Sequence, residues 1–454
     1  MTQARQSAVE IVRTLRQRGY QAYLVGGCVR DLLLGREPAD YDVATDATPD
    51  EVMGIFPKTW AVGAQFGVVL VPMEDRAGEV AHATQRCVEV ATFRSDVRYS
   101  DGRHPDEVRY TRDPKEDVQR RDFTINGLLL DPLEQDRVLD YVGGQEDLSR
   151  RLIRTIGDAA RRFAEDKLRM LRAVRFAARF GYEIDPQTMQ AVQEHAAEIH
   201  QVSRERIRDE VLKMLTEGRA RRAFELLDES RLLPEVLPEV ARMKGVEQPP
   251  QFHPEGDVWV HTLLLLEQLP VGCSRTLALG ALLHDVGKPP TFRVAEDRIR
   301  FDGHVEVGVS MAEEICKRFR LSNDDTHQVL ALVANHMRFA DVNRMKNSTF
   351  KRFARLPRFD EHIELHHLDC MASHQDLSLE RYTRERLAEL PPEQLRPLPL
   401  LTGSDLIAAG YVPGPRFKEM LAAVEDAQLE GRLNSREDAL EFVRREFGQA
   451  ARGE

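Results

Sequence analysis

Two aspartates, Asp40 and Asp42, stand two residues apart at the start of an apolar run in the stretch from Leu24 to Thr45. Side chains alternate along a β-strand, so a strand that begins here would project both carboxylates from one face. Like charges at this spacing repel each other unless a divalent cation lies between them. The pair therefore indicates a metal site, although a bare D-x-D spacing also occurs in solvated loops that precede ordinary strands.

A glycine turn precedes these aspartates and would suit an anion. A short apolar run ends at Gly26 and Gly27, where the missing side chains let a ligand approach the backbone. Residues 28–34 have helical spacing, so the first N–H groups of this short helix would point back at the turn. Arg30 adds a cation that would help neutralise a phosphate or, alternatively, form a salt bridge with a neighbouring aspartate. Together these features predict a site for a nucleoside triphosphate and a metal ion.

This stretch resembles the signature of the nucleotidyltransferase superfamily, in particular its class II tRNA nucleotidyltransferases (CCA-adding enzymes) and bacterial poly(A) polymerases. The resemblance implies that Asp40 and Asp42 bind Mg²⁺, and that Glu89, on the strand-like run CVEVATFR, is a third catalytic carboxylate. In such transfers the metal lowers the charge of the triphosphate and activates the attacking 3′-hydroxyl, which requires clustered carboxylates.

The run RRDFTINGLLLD, residues 120–131, resembles the ribose-recognition motif of the same family. This resemblance implies that Asp122 and Asn126 hydrogen-bond sugar hydroxyls and that Arg121 contacts phosphate. Most family members carry alanine where this chain has Gly127, and we expect the glycine to loosen the packing slightly.

The segment from Arg94 to Val108 is polar, contains glycine and lies between two strand-like runs, so we expect a mobile loop. In class II enzymes a flexible loop at this place is associated with the final switch to adding A, and CC-adding relatives lack it. This chain has such a segment.

Residues 165–181 predict a helix on which Glu165 and Asp166 lie within one turn of Arg169. Such charges usually form surface ion pairs, but an Asp–Arg pair can also read the Watson–Crick edge of cytosine or adenine. The segment matches the EDxxR motif of class II enzymes, which implies that Asp166 and Arg169 select the incoming base without a nucleic-acid template and that Glu165 orients the arginine. Further arginines would continue the stripe and bind nucleotide or tRNA phosphate, or form a solvated face: Arg172, Arg175 and Arg179.

A second group of residues between 253 and 374 has metal-ligand chemistry. Its order, H…HD…H…H…D, resembles the HD phosphohydrolase superfamily and consists of His261, His284, Asp285, His304, His336 and Asp369. Imidazole and carboxylate suit Ni, Mn, Zn or Fe rather than Ca. The resemblance implies that one metal is held by His261, His284, Asp285 and Asp369. His304 and His336 would complete a second metal site or contact phosphate. Lys288 would contact phosphate too. The remaining histidines of the region are expected to be structural: His253, His366, His367 and His374.

Composition limits the class of protein. The 454 residues are 31% charged and 42% hydrophobic, with no apolar run long enough to cross a bilayer and an amphipathic rather than signal-like N-terminus, so we expect a cytoplasmic protein. Five cysteines without a C-x-x-C pair suit reduced, buried thiols. The net charge of −11 argues against a nucleic-acid partner for the surface as a whole, but basic residues crowd 150–179 and 204–222, which leaves a local positive groove possible.

We predict an α+β head with a small mixed sheet, followed by an all-α neck, an all-α HD domain and a helical tail. The boundaries are placed at residues 1–148 for the nucleotidyltransferase head, 149–248 for the neck, 249–390 for the HD domain and 391–454 for the tail. Strands are predicted at 68–72, 88–93 and 138–141, and none after Ser149. Proline-rich breaks near 245–255 and 390–401 mark the later boundaries.

The resemblance covers nearly the whole chain and implies template-independent addition of CCA to the 3′ end of tRNA from CTP and ATP, with a second, metal-dependent phosphohydrolase activity on 2′,3′-cyclic phosphates and related phosphoesters. One alternative is a poly(A) polymerase or an enzyme that adds only A, since these share every motif quoted. Poly(A) polymerases typically carry a long basic C-terminal extension, which this acidic sequence does not show. An alternative of another class is an HD phosphohydrolase whose first half only binds RNA.

Overall fold

The computed structural model describes residues 2–61, 67–73, 87–96, 108–251, 253–296 and 298–448. These form two compact units, Met1–Ala241 and Arg242–Glu454. The finer division into four domains stays a prediction. No helix among the described residues is long and apolar enough to cross a membrane.

The first unit begins with a six-stranded mixed sheet. Its strands are β1 (Ala22–Val25), β2 (Asp42–Thr45), β3 (Val68–Pro72), β4 (Cys87–Thr92), β7 (Leu128–Asp131) and β8 (Arg137–Asp140). Their order in the sheet is β3-β4-β2-β1-β7-β8, in which β2 runs parallel to β4 and the other neighbours are antiparallel. The predicted strands therefore form, with ends shifted by at most one residue, and the mixed α+β head is confirmed.

The part of the first unit that the structure describes contains twelve α-helices. They are α1 (Gln3–Gln17), α2 (Gly27–Leu33), α3 (Pro49–Ile55), α4 (Pro114–Gln119), α5 (Gly144–Arg150), α6 (Ala159–Glu165), α7 (Leu168–Phe180), α8 (Pro186–His195), α9 (Arg204–Thr216), α10 (Ala220–Glu229), α11 (Leu233–Val236) and α12 (Pro238–Ala241). Helix α1 packs on the sheet, and Ala8, Ile11, Val12 and Leu15, which recur at helical spacing, are buried.

The second unit is helical, as predicted. Its helices are α13 (Val258–Glu267), α14 (Arg275–Leu283), α15 (Lys288–Thr291), α16 (His304–Arg318), α17 (Asn323–Asn335), α18 (Asn347–Ala354), α19 (Phe359–Ala372), α20 (Ser378–Ala388), α21 (Pro392–Leu395), α22 (Gly403–Ala408), α23 (Arg416–Leu429) and α24 (Arg436–Phe447). The last three enclose a small core of their own, in which Leu406, Met420 and Val443 are buried.

Short strands correct two predictions. Strands continue after Ser149: β9 (Leu152–Ile153) pairs in parallel with β10 (Glu183–Ile184), and β11 (Arg293–Val294) forms a hairpin with β12 (Ile299–Arg300). Two residues are too few to show the alternating pattern by which strands are predicted. The segment expected to be a loop from Arg94 also begins and ends in strand, because β5 (Arg94–Asp96) pairs with β6 (Val108–Tyr110). Residues 97–107, where its mobility was predicted, lie outside the described residues.

The helix predicted over 165–181 is interrupted at Asp166, whose backbone is extended between α6 and α7. The Asp166 carboxylate accepts a hydrogen bond of 3.0 Å from the N–H of Leu168 at the start of α7. Aspartate competes for backbone hydrogen bonds in this way, which favours helix ends over helix interiors. The interruption separates Asp166 from the helical face on which Arg169 lies.

Gly127 corrects the expectation of loosened packing. A Cβ atom at this position would lie 2.9 Å from side-chain carbons of Ile156 and Val142 and 3.1 Å from one of Val118. The glycine is therefore accommodated by neighbours that close around it, and it allows tight packing between the 3₁₀ turn Thr124–Asn126 and the start of the neck.

A buried ion pair joins helices α7 and α9 of the first unit. Arg175 of α7 donates to Glu210 of α9 at 2.7 Å, and both side chains are about 5% exposed. Replacing Arg175 by Ala strands a buried carboxylate, so we expect the free energy of unfolding of the first unit to fall by about 3–5 kcal/mol. Chemical denaturation followed by circular dichroism measures this loss.

Arg179, one turn further along α7, provides the matched control. It is 37% exposed and pairs with Glu217 at 3.2 Å. Arg179→Ala should cost about 1 kcal/mol or less. Equal losses in the two variants would contradict the interpretation of Arg175 as part of a buried structural pair.

Candidate active site and metal centre

The carboxylates expected to bind metal in the first unit converge at one end of β2. Asp42 opens this strand and stands opposite Glu89 in the parallel pairing with β4. Asp40 lies in the bend before the strand rather than on it, which corrects the expectation that both aspartates project from one strand. Their convergence arises from the bend and from the neighbouring strand.

Neighbouring carboxylates raise the pKa values of two of these residues, Asp42 and Glu89. Burial, the charge of Glu89 and the charge of Asp40 together raise the pKa of Asp42 to about 7, against a weaker opposing effect of Arg121. Burial and Asp40 likewise raise the pKa of Glu89 above its ordinary value. The anionic forms of Asp42 and Glu89 are thus each disfavoured by a neighbouring carboxylate, and carboxylates clustered in this way suit a divalent cation.

The glycine turn lies next to these carboxylates. Gly26 has a φ of +78°, a conformation that other residues rarely adopt, and a Cβ atom there would lie 3.4 Å from Arg121 Nη1. Because Arg121 also influences Asp42 and donates to Asp117 at 3.0 Å, its guanidinium lies near both the turn and the carboxylates. This is the placement that a phosphate contact would require.

A buried network joins the predicted phosphate-binding and ribose-binding residues. Arg30 donates to Asn126 Oδ1 at 2.6 Å, and Asn126 donates to Asp122 at 3.1 Å. Arg172 donates twice to the other oxygen of Asp122, at 2.9 and 2.6 Å. Burial opposes ionisation of Asp122, but Arg172 and Asn126 outweigh it and lower the pKa to about 2. The salt bridge considered for Arg30 also forms, to Asp31 at 2.9 Å.

The predicted base-selecting residues are arranged differently from the expected triplet. Arg169 donates to Glu165 at 2.9 Å and to the carbonyl oxygen of Arg120 at 2.9 Å. Asp166 pairs instead with Arg206 of α9 at 2.8 Å. The predicted orientation of Arg169 by Glu165 thus has a matching contact, whereas the placement of Asp166 and Arg169 on one continuous helix was wrong. Arg206 was missed because no local pattern links it to a residue 40 positions away.

The predicted HD ligands meet in the second unit. His261 Nε2 lies 3.3 Å from His284 Nε2 and 3.1 Å from Asp369. Asp285 Oδ2 lies 3.2 Å from His284, while its Oδ1 faces His304 at 3.9 Å and His336 at 3.7 Å. Two groups with metal-ligand spacing therefore share Asp285, one with His261 and His284 and the other with His304 and His336.

The group of His261, His284, Asp285, His304, His336 and Asp369 is here called the HD centre. Each of its imidazole rings presents one nitrogen inward. Nδ1 of His284, His304 and His336 contacts the backbone carbonyl three residues earlier, at 2.9, 3.0 and 2.7 Å. Nε2 of His304 and of His336 is buried with no hydrogen-bond partner among the described residues. Buried polar atoms are normally satisfied, so these two nitrogens fit a metal ion or a phosphate oxygen.

Charge in the HD centre also suits a cation. Although burial opposes it, Lys288, His284 and His336 hold the pKa of Asp285 well below its usual range. Burial and the nearby His284 lower the pKa of His336 to about 4, which makes it a neutral ligand near pH 7. His261 has its pKa raised to about 9 by Asp369 and Glu255 in spite of burial. Metal binding would displace this proton and is therefore favoured by higher pH.

Closely packed backbone surrounds the HD centre, and Lys288 contacts one of its ligands. A Cβ atom at Gly287 would lie 2.1 Å from the carbonyl oxygen of His304, so this glycine lets α16 approach the His284–Asp285 turn. Lys288 is buried between Asp285, at 2.6 Å, and Gln248, at 2.6 Å, so its predicted phosphate contact would compete with these bonds. No local pattern in the sequence had indicated that Gln248 and Gly287 belong to this centre.

Three family models match successive parts of the chain. They are the poly A polymerase head domain at residues 22–154, the probable RNA- and SrmB-binding site of polymerase A at residues 181–244, and the HD domain at residues 258–394. The first covers Asp40, Asp42 and Glu89, and the third covers the HD ligands, whereas the stretch with Glu165, Asp166 and Arg169 lies between the first two matches.

Curated relatives match half of the chain or more. The CCA-adding enzyme of Geobacillus stearothermophilus is 45% identical over 227 residues, which are 50% of this chain and 53% of the relative. The CCA-adding enzyme of Bacillus licheniformis is 38% identical over 275 residues, 60% of this chain and 66% of the relative. The matched segment thus spans about half to two thirds of the length of these relatives.

Solved structures match over a greater length. A Bacillus stearothermophilus CCA-adding enzyme in complex with CTP aligns with a TM-score of 0.73 and 29% identity over 98% of this chain and 99% of that one. A Thermotoga maritima CCA-adding enzyme complexed with tRNA aligns with a TM-score of 0.57 over 97% and 94% of the two chains. At 19% identity the second likeness shows the fold alone.

Proposed function

We propose that this chain, which belongs to the family of class II tRNA nucleotidyltransferases and bacterial poly(A) polymerases and carries an HD domain, adds CCA to the 3′ end of tRNA from CTP and ATP without a nucleic-acid template. The observation that carries the proposal is the convergence of Asp40, Asp42 and Glu89 beside Arg121 and the glycine turn. The protein would act in the cytoplasm, where tRNA matures.

The carboxylates would hold Mg²⁺ for the transfer. When bound there, Mg²⁺ lowers the charge of the triphosphate and assists ionisation of the attacking 3′-hydroxyl. Arg30 and Arg121, with the backbone at Gly26 and Gly27, would receive the phosphates. The tRNA 3′-hydroxyl attacks the α-phosphate of CTP or ATP, the bond to the β-phosphate breaks, and pyrophosphate leaves.

The neck would supply the choice of nucleotide. Asn126 and Asp122 are held in fixed orientation by Arg30 and Arg172, which suits hydrogen bonds to ribose hydroxyls. Arg169, positioned by Glu165, would donate to the base. Asp166 would accept from its exocyclic amine, after exchanging its contact with Arg206 for one with the nucleotide. Arg172 and Arg175 would add positive charge near the phosphates while keeping their carboxylate partners.

One assay tests this function against its nearest alternatives. Purified protein is incubated with Mg²⁺ and tRNA that ends before CCA or after CC, with CTP, ATP or both, and the 3′ ends are sequenced. We expect CC from CTP alone, A on the CC-ended tRNA from ATP alone, and CCA from both. Addition of A only to CC-ended tRNA would identify an A-adding enzyme, and long A tails would identify a poly(A) polymerase. Either result would overturn the proposal.

The second unit would hydrolyse phosphoesters with a bound transition metal, Ni, Mn, Zn or Fe. His261, His284, Asp285 and Asp369 would hold one ion, and the free Nε2 atoms of His304 and His336 would bind a second ion or a phosphate of the substrate. A 2′,3′-cyclic phosphate is the proposed substrate class. If the tRNA assay gave no addition while hydrolysis persisted, the alternative of a phosphohydrolase with an RNA-binding first unit would be favoured.

A further inference from the structure

Glu255 lies immediately before α13 and contacts one ligand of the HD centre. Its Oε1 accepts a hydrogen bond from Nδ1 of His261 at 2.8 Å, while His261 Nε2 points at His284 and Asp369. Glu255 is 7% exposed and His261 is fully buried. The carboxylate therefore holds the outer nitrogen of the ring, and the inner nitrogen faces the ligands.

This contact distinguishes His261 from the other histidines of the HD centre. His284, His304 and His336 each hold Nδ1 against a backbone carbonyl, a partner that every residue supplies. Among these four rings, as the described residues place them, His261 is the one whose Nδ1 is held by a side chain. Its orientation and tautomer therefore depend on the identity of residue 255.

The local backbone explains how Glu255 reaches inward. Gly256 has a φ of +132°, a conformation available almost only to glycine, and turns the chain between Glu255 and the start of α13. Asp257 then caps that helix by accepting from Val260 N–H at 2.7 Å. The turn at Gly256 thus directs Glu255 toward His261 instead of solvent.

His253 shares the same carboxylate oxygen at 2.8 Å and is 19% exposed. Two arrangements are compatible with these distances. In one, Glu255 orients His261 and His253 only completes its hydrogen bonding. In the other, the close group of His253, Glu255 and His261 is itself a ligand set. The first is favoured because Nε2 of His261 already lies beside His284 and Asp369 in the HD centre. Its Nδ1 is then the nitrogen that donates to Glu255.

We propose that Glu255 is a positioning residue of the HD centre, which fixes His261 with its proton on Nδ1 and so directs Nε2 to the metal. The proposal rests on the proposed metal site of the second unit. A charged acceptor on the outer nitrogen also makes the inner nitrogen a stronger donor, and such outer partners commonly change metal affinity by about 10–100-fold.

The test is Co²⁺ binding by the full-length protein, measured by metal analysis and by the visible absorption of the bound ion. We expect Glu255→Ala to weaken the affinity for the ion held by His261 by about 10–100-fold and to alter the absorption band. Glu255→Gln keeps an acceptor for Nδ1–H without the charge, so its loss should be smaller. Partial rescue by Gln separates positioning of the ring from simple disruption of the loop.

Two variants serve as controls. Asp257→Ala weakens the helix cap next to Glu255 and should lower thermal stability without changing Co²⁺ affinity. His253→Gln should leave both the affinity and the number of ions bound unchanged, and loss of one ion would instead identify His253 as a ligand and overturn the proposal. Unchanged affinity in Glu255→Ala would also overturn it. Failure of the wild type to bind Co²⁺ would overturn the metal site itself, a separate and distinguishable result.

Discussion

Asp42→Asn is expected to abolish nucleotide addition, by at least about 1,000-fold, while raising the stability of the metal-free protein. Asp42 is proposed to hold Mg²⁺ together with Asp40, and an amide cannot replace a carboxylate in a site whose role is to neutralise a triphosphate. The variant should nonetheless fold, because asparagine keeps the shape of aspartate and removes a repulsive charge beside Glu89.

The pH dependence of this gain follows from the raised pKa. Asp42 titrates near 7 in the folded protein against an ordinary value of 3.8, so between these values the folded state binds more protons than the unfolded state. The free energy of unfolding therefore falls as pH rises from about 4 to 7 and stays reduced above that range. We therefore expect the free energy of unfolding of Asp42→Asn to exceed that of the wild type by about 1–3 kcal/mol at pH 8 and to be nearly equal to it at pH 4. The range is reduced because the side chain is partly exposed.

Thermal melts without metal at pH 5 and pH 8, together with the tRNA end assay, measure both effects. Asp50→Asn is a suitable control, since this carboxyl lies exposed in the first turn of α3. It should leave nucleotide addition intact and change stability by less than about 1 kcal/mol. Asp42→Asn with substantial activity, or with lower stability at pH 8, would contradict the assignment of Asp42 to a crowded metal site.

His284→Ala is expected to abolish metal-dependent phosphoester hydrolysis, by at least about 100-fold, and to leave nucleotide addition unchanged. Its Nε2 lies 3.3 Å from that of His261 and 3.2 Å from Asp285, within the ligand group that these three residues form. Removing it leaves the two aspartates with one histidine fewer to hold the ion. Metal content and hydrolysis of a 2′,3′-cyclic nucleotide are measured on the same preparation that is used for tRNA.

His367→Ala provides a matched histidine control in the second unit. His367 lies on α19, is about one third exposed and contacts Glu380 at 2.8 Å. Its removal should change neither activity nor metal content. Loss of both activities in His284→Ala would indicate that the HD domain supports the protein structurally, and retained hydrolysis would exclude His284 as an essential ligand.

Much of the candidate site could be predicted because the types of its residues and their order along the chain indicate its chemistry. The positive φ of Gly26 agrees with a turn that requires glycine, and the short α2 begins where the apolar run ends. The order of histidines and aspartates predicted the HD centre, and all six of those residues lie in it. Such patterns are local or consist of rare residue types, so a single sequence displays them.

Contacts between distant segments could not be predicted in this way. The spacing of Asp166 and Arg169 indicated neighbours on one helix, but the extended backbone at Asp166 ends α6, and the Asp166 carboxylate pairs with Arg206. Arg175 continued a basic stripe in the sequence, yet α9 supplies Glu210 and buries it. In both cases the partner comes from another helix, and helix packing rather than periodicity selects it.

The sequence by itself determined the donors: the carboxylates of the D-x-D pair, the glycine turn, the arginines and the HD ligands. Only the tertiary structure decided their partners, because strand register and helix packing bring together groups that are far apart in the chain. Parallel pairing of β2 with β4 sets Asp42 opposite Glu89, 47 residues away, and so crowds the charges that a metal would relieve. Backbone carbonyls and Glu255 likewise decide which nitrogen each histidine of the HD centre presents inward, a choice that residue type leaves open.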